Sequence, residues 1–418
     1  MISTKNRTIT FLHYFFRNDG VTNVVLNNLR GLQQLQKGYD FQLAASYFAT
    51  NLPEDITKKK IVLDDPKRSI DLMVQDLESL SQTSSMFIIE NPTVGLYPNS
   101  MYAFKRFTEK NPDFPVLFRI HDTDYDRAAD PGDYSLISEN GDRYARTGNA
   151  KYITPISSTS RKLKRRDFID SSVLENPIRT YLFEMNDKRK ELSYDLRKKL
   201  HENGFVGSDQ KILTYPVRVF PTKNIEEALL DTKLLNMDGL DYKLIVTLFN
   251  HEKYSKLMKD LSEDYGIPSS IGEVHDFITF DDGFTIANLY DISDAAITTS
   301  IYEGFGYAFV EPWLSRTPLV GRDLPETTSD FKNNGLDMGS LYSNTEFEAR
   351  STSYDRTKHI KDILSDKARL HDLKRRLDLT GRLEYANGCI EQNFHAGKKY
   401  DYVSIAQKLN SIIEEYGV

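Results

Sequence analysis

The feature that most constrains this chain is an alternation of short strand-like runs with helix-period segments, repeated in two series. The first series opens with a strand at 9–13. A helix over 21–36 follows, with Val24, Val25, Leu29, Leu32 and Leu35 at helical spacing. Further strands are expected at 41–45, 86–89 and 115–120, with weaker ones at 152–153 and 173–174. A charged helix at 187–202 ends at glycines 204 and 207. The second series predicts strands at 211–215, 242–249, 277–280, 295–298 and 319–320. Helices are expected between them at 224–235, 252–265 and 284–291, and the chain beyond 357 is largely helical. Strands joined by helices run parallel, with helices covering both faces of the sheet. The predicted fold class is therefore α/β, with two Rossmann-like, doubly wound parallel-sheet domains facing across a cleft. The expected domains are 1–205 and 206–399, with the C-terminal helix 400–418 packing back on the first.

Composition supports this and excludes other classes. At 418 residues the chain exceeds one ordinary hydrophobic core. Apolar residues make up 39% and charged residues 28%, values of a folded rather than a disordered chain. Lys plus Arg number 54 against 61 for Asp plus Glu, a net charge of −7 that argues against a nucleic-acid partner. There is no run of eighteen apolar residues, so no membrane span is expected. The apolar stretch 9–16 contains His13 and lacks a small-residue cleavage site, which makes it a first strand rather than a signal peptide. The single cysteine, Cys389, excludes an intrachain disulfide and a Cys-based zinc cluster, and its context suits packing. The expected location is cytoplasmic. Basic runs at 161–166, 188–190 and 197–199 would gain energy near an anionic bilayer, but a solvated helix face is the simpler reading and membrane contact is not favoured.

Ligands in doubly wound sheets bind beyond the carboxyl ends of the strands. Five stretches fall there. The richest is Ser300-Ile-Tyr-Glu-Gly-Phe-Gly-Tyr-Ala-Phe-Val-Glu311, with carboxylates Glu303 and Glu311 around Gly304 and Gly306. A strand, a glycine turn and a helix start aim free N–H groups at an anion, and each carboxylate can accept hydrogen bonds from a sugar diol. Taken alone, the same residues equally describe an ordinary tight turn with acids placed to suit a helix dipole. The second stretch is 215–225, whose Arg218 and Lys223 are two cations in one strand-to-helix loop able to clamp a diphosphate. The third is 118–124. There His121 could meet a substrate oxygen, and Asp122-Thr-Asp124 has the form of a D-x-D metal motif, disfavoured because the phosphate-holding features lie in the other half. The fourth is 17–22, where Gly20 would admit a phosphate. One glycine is no Gly-x-Gly-x-x-Gly, so a nicotinamide dehydrogenase is not favoured. The fifth, 321–326, reads equally as a pocket edge or a plain turn.

Together these residues resemble the retaining glycosyltransferases of family 4, which have the GT-B fold. Glu303-Gly-Phe-Gly-x4-Glu311 with Thr317-Pro318 is similar to the family's E-x7-E signature, and Arg218 and Lys223 fall at the Arg and Lys of its G-R-x4-K-G loop. His121-Asp122, Asp19-Gly20-Val21 and Glu175-Asn176-Pro177 resemble its N-domain His, its G-G-V loop and its P-N-G-V segment. Departures are Asp19 for the first loop glycine, Pro216-Val217 before the Arg, and Pro312-Trp313 after the second Glu. The resemblance implies a hexosyltransferase moving sugar from a nucleotide-diphosphate donor to the hydroxyl of a small molecule, glycan, lipid or protein, with retention and with neither metal nor cofactor. It implies that Arg218 and Lys223 neutralise the departing diphosphate, that Glu311 holds the ribose, and that His121 touches the sugar. Glu303 with the segment Gly304, Phe305, Gly306, Tyr307 and Ala308 would orient the donor, and Gly20 would meet phosphate. Two other readings stay open: a catalytically silent GT-B subunit of a glycosylation complex, and a nucleotide-sugar epimerase.

Overall fold

A computed structural model describes residues 7–17, 19–49, 52–93, 97–123, 143–249, 251–276, 283–343 and 352–418. The strand expected at 277–280 and Asp124 of the D-x-D sequence lie outside the described residues. Contacts divide the chain into a first unit, Met1–Arg179 with Tyr400–Val418, and a second, Thr180–Lys399.

The first unit contains β1 (Arg7–Leu12), β2 (Phe15–Phe16), β3 (Tyr39–Ala45), β4 (Tyr47–Phe48), β5 (Thr57–Lys60), β6 (Met86–Glu90), β7 (Val116–Arg119), β8 (Ala150–Thr154) and β9 (Ser172–Val173). Seven of them form one sheet in the order β5-β3-β1-β6-β7-β8-β9, paired in parallel throughout. β2 and β4 form a separate parallel pair. Side chains alternate across the sheet. Phe87 and Ile89 join one core with Leu12, Phe104 and Phe118. Met86 and Ile88 join the other with Val25, Leu29 and Leu32. Each fully buried side chain of this kind contributes roughly 1.5–3 kcal/mol.

The helix Tyr402–Glu414 belongs to this second core through Ile405, Leu409 and Ile413. It lies so close to the helix Gly20–Gln34 that a Cβ on Gly31 would meet the Ala406 Cβ at 2.5 Å. Main-chain bonds between Ile178 and both Tyr400 and Tyr402, at 2.7 and 2.9 Å, tie the returning segment to the unit.

The second unit holds β10 (Lys211–Arg218), β11 (Tyr242–Leu248), β12 (Ser269–Ile271), β13 (Ala295–Thr298), β14 (Leu319–Arg322) and β15 (Leu341–Tyr342) in the order β12-β11-β10-β13-β14-β15. All pairs are parallel. The division falls at 179/180 rather than 205/206. Glycines 204 and 207 only end the helix Asp187–Glu202. That helix packs into the second unit, with Leu196 and Leu200 against Ile212 and Ile245. It is anchored by Arg189, whose Nε donates to Asp291 Oδ2 at 2.7 Å.

The strand order reverses at β1 in the first unit and at β10 in the second. The loops at the carboxyl ends beside these two strands occupy the topological switch points where such sheets place ligands.

Candidate functional site

At the switch point of the second unit, β10 ends irregularly. Pro216 has no N–H to give the ladder, and the register with β11 shifts between Tyr215 and Arg218. The departure at Pro216-Val217 is therefore a bulge within β10, after which Arg218 pairs with Leu248. Arg218 is exposed at its tip, and among the described residues its guanidinium has no hydrogen-bond or ion-pair partner. A single 3₁₀ turn, Pro221–Lys223, leads through Asn224, which adopts a left-handed φ of 50°, into the helix Ile225–Asn236.

This turn is stitched to the loop after β13. Asn224 Nδ2 donates to the Thr299 carbonyl at 3.1 Å, Thr299 Oγ1 donates to the Asn224 carbonyl at 2.9 Å, and Ile301 N donates to the Thr222 carbonyl at 3.0 Å. The Tyr215 hydroxyl donates to the Lys223 carbonyl at 2.9 Å and lies 2.8 Å from Ser300 Oγ. Burial, reinforced by the nearby Glu303 charge, pushes its ionisation far up, so it remains a neutral donor. The outcome is an ion pair, with Lys223 Nζ 2.6 Å from Glu303 Oε1. Ser300 Oγ donates to the same oxygen at 2.7 Å. Two residues eighty positions apart thus meet at the ends of adjacent strands.

Beneath the turn lies a buried charge network. Arg356 Nε donates to Glu226 Oε1 at 2.8 Å, and its Nη2 donates to the Pro221 carbonyl at 2.6 Å. Tyr254 donates to the other oxygen of Glu226, and its own oxygen receives the Ile225 N–H at 3.0 Å. Arg322 pairs with Glu227 at 2.6 Å, and the Tyr342 hydroxyl reaches both Glu227 and Asp231, at 3.0 and 2.5 Å. Arg322, the second residue of 321–326, is therefore turned inward and supports the loop.

The glycine segment is shaped by Gly306, whose φ of +90° is left-handed and whose Cβ, if present, would sit 2.7 Å from Phe309 Cδ2. Gly304 precedes it in a bend. Phe305 is turned into packing against Phe331 and Tyr307, with ring centroids 5.3 and 5.2 Å away, so only its main chain can serve a ligand. The helix expected after the glycines is shorter than its apolar pattern suggests. Tyr307–Phe309, which includes Ala308, is a 3₁₀ turn, and the helix Glu311–Leu314 is a single turn. Glu311 and Pro312 are its first residues, where the missing proline N–H costs no helical bond. Glu311 is half-buried and adds to the burial that raises the Tyr290 ionisation.

The first unit carries its own strand-end cluster. His121, just after β7, has Nε2 2.7 Å from Glu90 Oε2 at the end of β6. Asn91 Oδ1 accepts the main-chain N–H of His121 and of Asp122 at 3.2 and 3.0 Å. His13, just after β1, has Nδ1 2.8 Å from the Glu90 carbonyl, and burial holds its ionisation below the usual histidine range. Gly20 opens the helix Gly20–Gln34, and space is free around the position of its missing Cβ. Asp19 replaces the expected glycine because it caps that helix, its Oδ1 accepting the Thr22 N–H at 2.9 Å. Among the described residues, no group of three or more His, Cys, Asp or Glu could hold a metal ion.

The structure thus joins Lys223 to Glu303 and places Arg218 on the same loop. It places Glu311 at the far end of the glycine segment, and His121 and Gly20 in the first unit. The sequence reading missed Glu90, His13, Ser300, Tyr215 and Arg356. A charge closing the apolar run Met86-Phe-Ile-Ile-Glu90 was a usable signal. Arg356 offered none, because its partner lies far away in sequence.

A doubly wound parallel sheet in each of two units is the architecture of the GT-B fold. The same architecture is found in HepE from Anabaena, solved with UDP and glucose, at a TM-score of 0.63 and 14% identity over 98% of this chain and 100% of that one. It is also found in WaaG, a glycosyltransferase of lipopolysaccharide biosynthesis, at a TM-score of 0.58 and 11% identity over 97% and 99%. Residues 197–377 match the family model described as glycosyl transferases group 1. Among curated proteins, the mannosylglucosyl-3-phosphoglycerate synthase of Petrotoga mobilis is 26% identical over 77% of this chain. The match spans 66% of that relative's own length. The mannosylglucosylglycerate synthase of the same organism is 23% identical over 73% of this chain and 74% of its own. No described helix is long and apolar enough to cross a membrane.

Proposed function

We propose that this chain is a retaining hexosyltransferase of family 4 type, transferring a sugar from a nucleotide-diphosphate donor to an acceptor hydroxyl without a metal or other cofactor. The observation that carries this reading is Lys223 paired with Glu303 at the switch point of the second unit, with Arg218 exposed on the same loop and unpartnered among the described residues. Leaving-group charge is the main barrier to such a transfer. Two cations on one loop, Lys223 held by Glu303 and Arg218 beside it, supply its stabilisation. Arg218 and Lys223 neutralise the diphosphate, Glu303 orients the donor sugar, and Glu311 accepts from the ribose hydroxyls. His121 hydrogen-bonds a substrate hydroxyl, and Gly20 leaves room for a phosphate oxygen. Retention follows if the acceptor attacks from the face that the leaving group vacates.

The names of the two Petrotoga mobilis relatives make a short sugar acid, or its phosphate, carrying one hexose the first acceptor class to test. Donor and acceptor panels, with the anomeric configuration of the product read by NMR, test the proposal. A new glycosidic bond of the donor's configuration, formed in the presence of a chelator, is the expected result. Conversion of the donor alone into another nucleotide sugar would replace transfer with epimerisation, and an inverted product would remove retention.

A further inference from the structure

Glu90 is an unusual residue to find closing a strand. It is 1% exposed, one carboxylate oxygen contacts His121, and the other, Oε1, is buried with no hydrogen-bond partner among the described residues. A buried acceptor left unsatisfied costs stability, and an apolar side chain would close this strand more favourably. The fold therefore does not call for Glu90. What Glu90 does is fix histidines. Its carbonyl holds His13 Nδ1, just after β1, and its side chain holds His121 Nε2, just after β7. Asn91, at a left-handed φ of 51°, clamps the main chain of His121 at the same time. Ring and backbone of His121 are thus both immobilised.

We infer that Glu90 is a positioning residue that locks His121 as the Nε2–H tautomer, leaving Nδ1 as a hydrogen-bond acceptor for a substrate hydroxyl. A carboxylate only accepts, so the ring nitrogen facing it carries the proton. In the neutral ring the remaining nitrogen is bare and suited to receive an O–H. The same logic governs histidines oriented by a buried acid in hydrolases, where a wrong tautomer disables the ring without moving it. The catalytic part of this inference rests on the glycosyl-transfer reading; the tautomer does not.

Long-range ¹H–¹⁵N correlation of histidine-labelled protein reads the tautomer directly, with His121→Gln assigning the signal. The expected result is a protonated Nε2 and a bare Nδ1 on His121 in the wild type, with that preference lost in Glu90→Leu. Steady-state kinetics of Glu90→Leu should show kcat reduced about 10-fold with the donor KM within about 2-fold, the size expected for one hydrogen bond to the substrate. A wild-type ring protonated at Nδ1 or at both nitrogens would overturn the proposal, and that measurement needs no variant to fold. An unchanged tautomer in a folded Glu90→Leu, or a changed tautomer with full kcat, would overturn it as well. A wild type that transfers no sugar yet shows the expected tautomer would refute the glycosyl-transfer reading alone.

Discussion

Lys223 Nζ lies 2.6 Å from Glu303 Oε1, so the cation proposed for the diphosphate and the acid proposed for the sugar hold each other. The pair presets the position of Lys223 and also lowers the positive potential that an incoming phosphate meets. Removing the cation should lower turnover by ~10²-fold or more in Lys223→Ala, since fixed donors to a developing charge are worth that much. Removing the acid should separate binding from chemistry. Glu303→Gln should bind the nucleoside diphosphate product roughly 3- to 10-fold more tightly, on the order of 1 kcal/mol for a charge about 4 Å away screened as in water, while kcat falls. Calorimetric titration of the product beside initial rates measures both. Weaker product binding in Glu303→Gln would show that Glu303 does not compete for Lys223.

Arg356 supports the same turn from below, joining Glu226 to the Pro221 carbonyl. Its side chain is 2% exposed and that of Glu226 is fully buried. Arg356→Met would strand a buried carboxylate whose ionisation burial already pushes up against the pull of Arg356. The expected loss is about 3–5 kcal/mol of stability, the usual cost of breaking one side of a buried pair, and thermal unfolding reads it. A melting temperature within a degree of the wild type would contradict the role given to the network.

Asp231 has its ionisation raised well above the ordinary range by burial first and the Glu227 charge second, against the opposing pull of the Tyr342 hydroxyl and Arg322. A folded-state value above the unfolded one means that the folded protein holds a proton the unfolded chain releases. The stability this proton supports is complete below the ordinary Asp range and is lost as pH rises through the raised folded value. Asp231→Asn keeps the Tyr342 contact without a charge to bury. Its melting temperature should match the wild type near pH 4 and exceed it progressively toward pH 8, by about 2–4 °C for each kcal/mol recovered. A difference independent of pH would contradict the shift.

Gly306 tests the shape of the glycine segment. An alanine there must hold a left-handed φ and push against Phe309 and Thr327, whose nearest side-chain atoms would stand 2.7 and 3.1 Å from its Cβ. Gly306→Ala should cost roughly 1–3 kcal/mol of stability and weaken donor binding. Denaturant unfolding with donor titration measures the two effects.

What could be read from the sequence follows from how local each signal is. The alternation of apolar runs with helical periods depends on neighbours in the chain, and it showed both sheets and the residues at their ends. Arg218, Lys223, Glu303 and His121 stood out because each follows a recognisable strand. The helices Ile70–Ser81 and Pro98–Lys110 and the strand Thr57–Lys60 went unread. Thr57–Lys60 is an exposed edge strand of Thr-Lys-Lys-Lys, with no apolar pattern to announce it. The unit boundary was misplaced because glycines 204 and 207 mark a helix end, while the partner that anchors the helix before them, Asp291, lies about a hundred residues on. The supports of the candidate site, Arg356 under Pro221 and Glu90 behind His121, are tertiary relations that no spacing encodes.

Melting temperature across a panel of UDP-, GDP- and ADP-hexoses, compared between the wild type and Lys223→Ala, tests the central claim most directly. A ligand that binds only the folded state stabilises it by about 2.7 kcal/mol at one hundred times its Kd. Donors sharing one base should raise the wild-type melting temperature by several degrees, and Lys223→Ala should lose most of that rise. A panel in which no nucleotide sugar moves the wild type, or in which the variant responds as fully, would contradict a donor site built on Lys223.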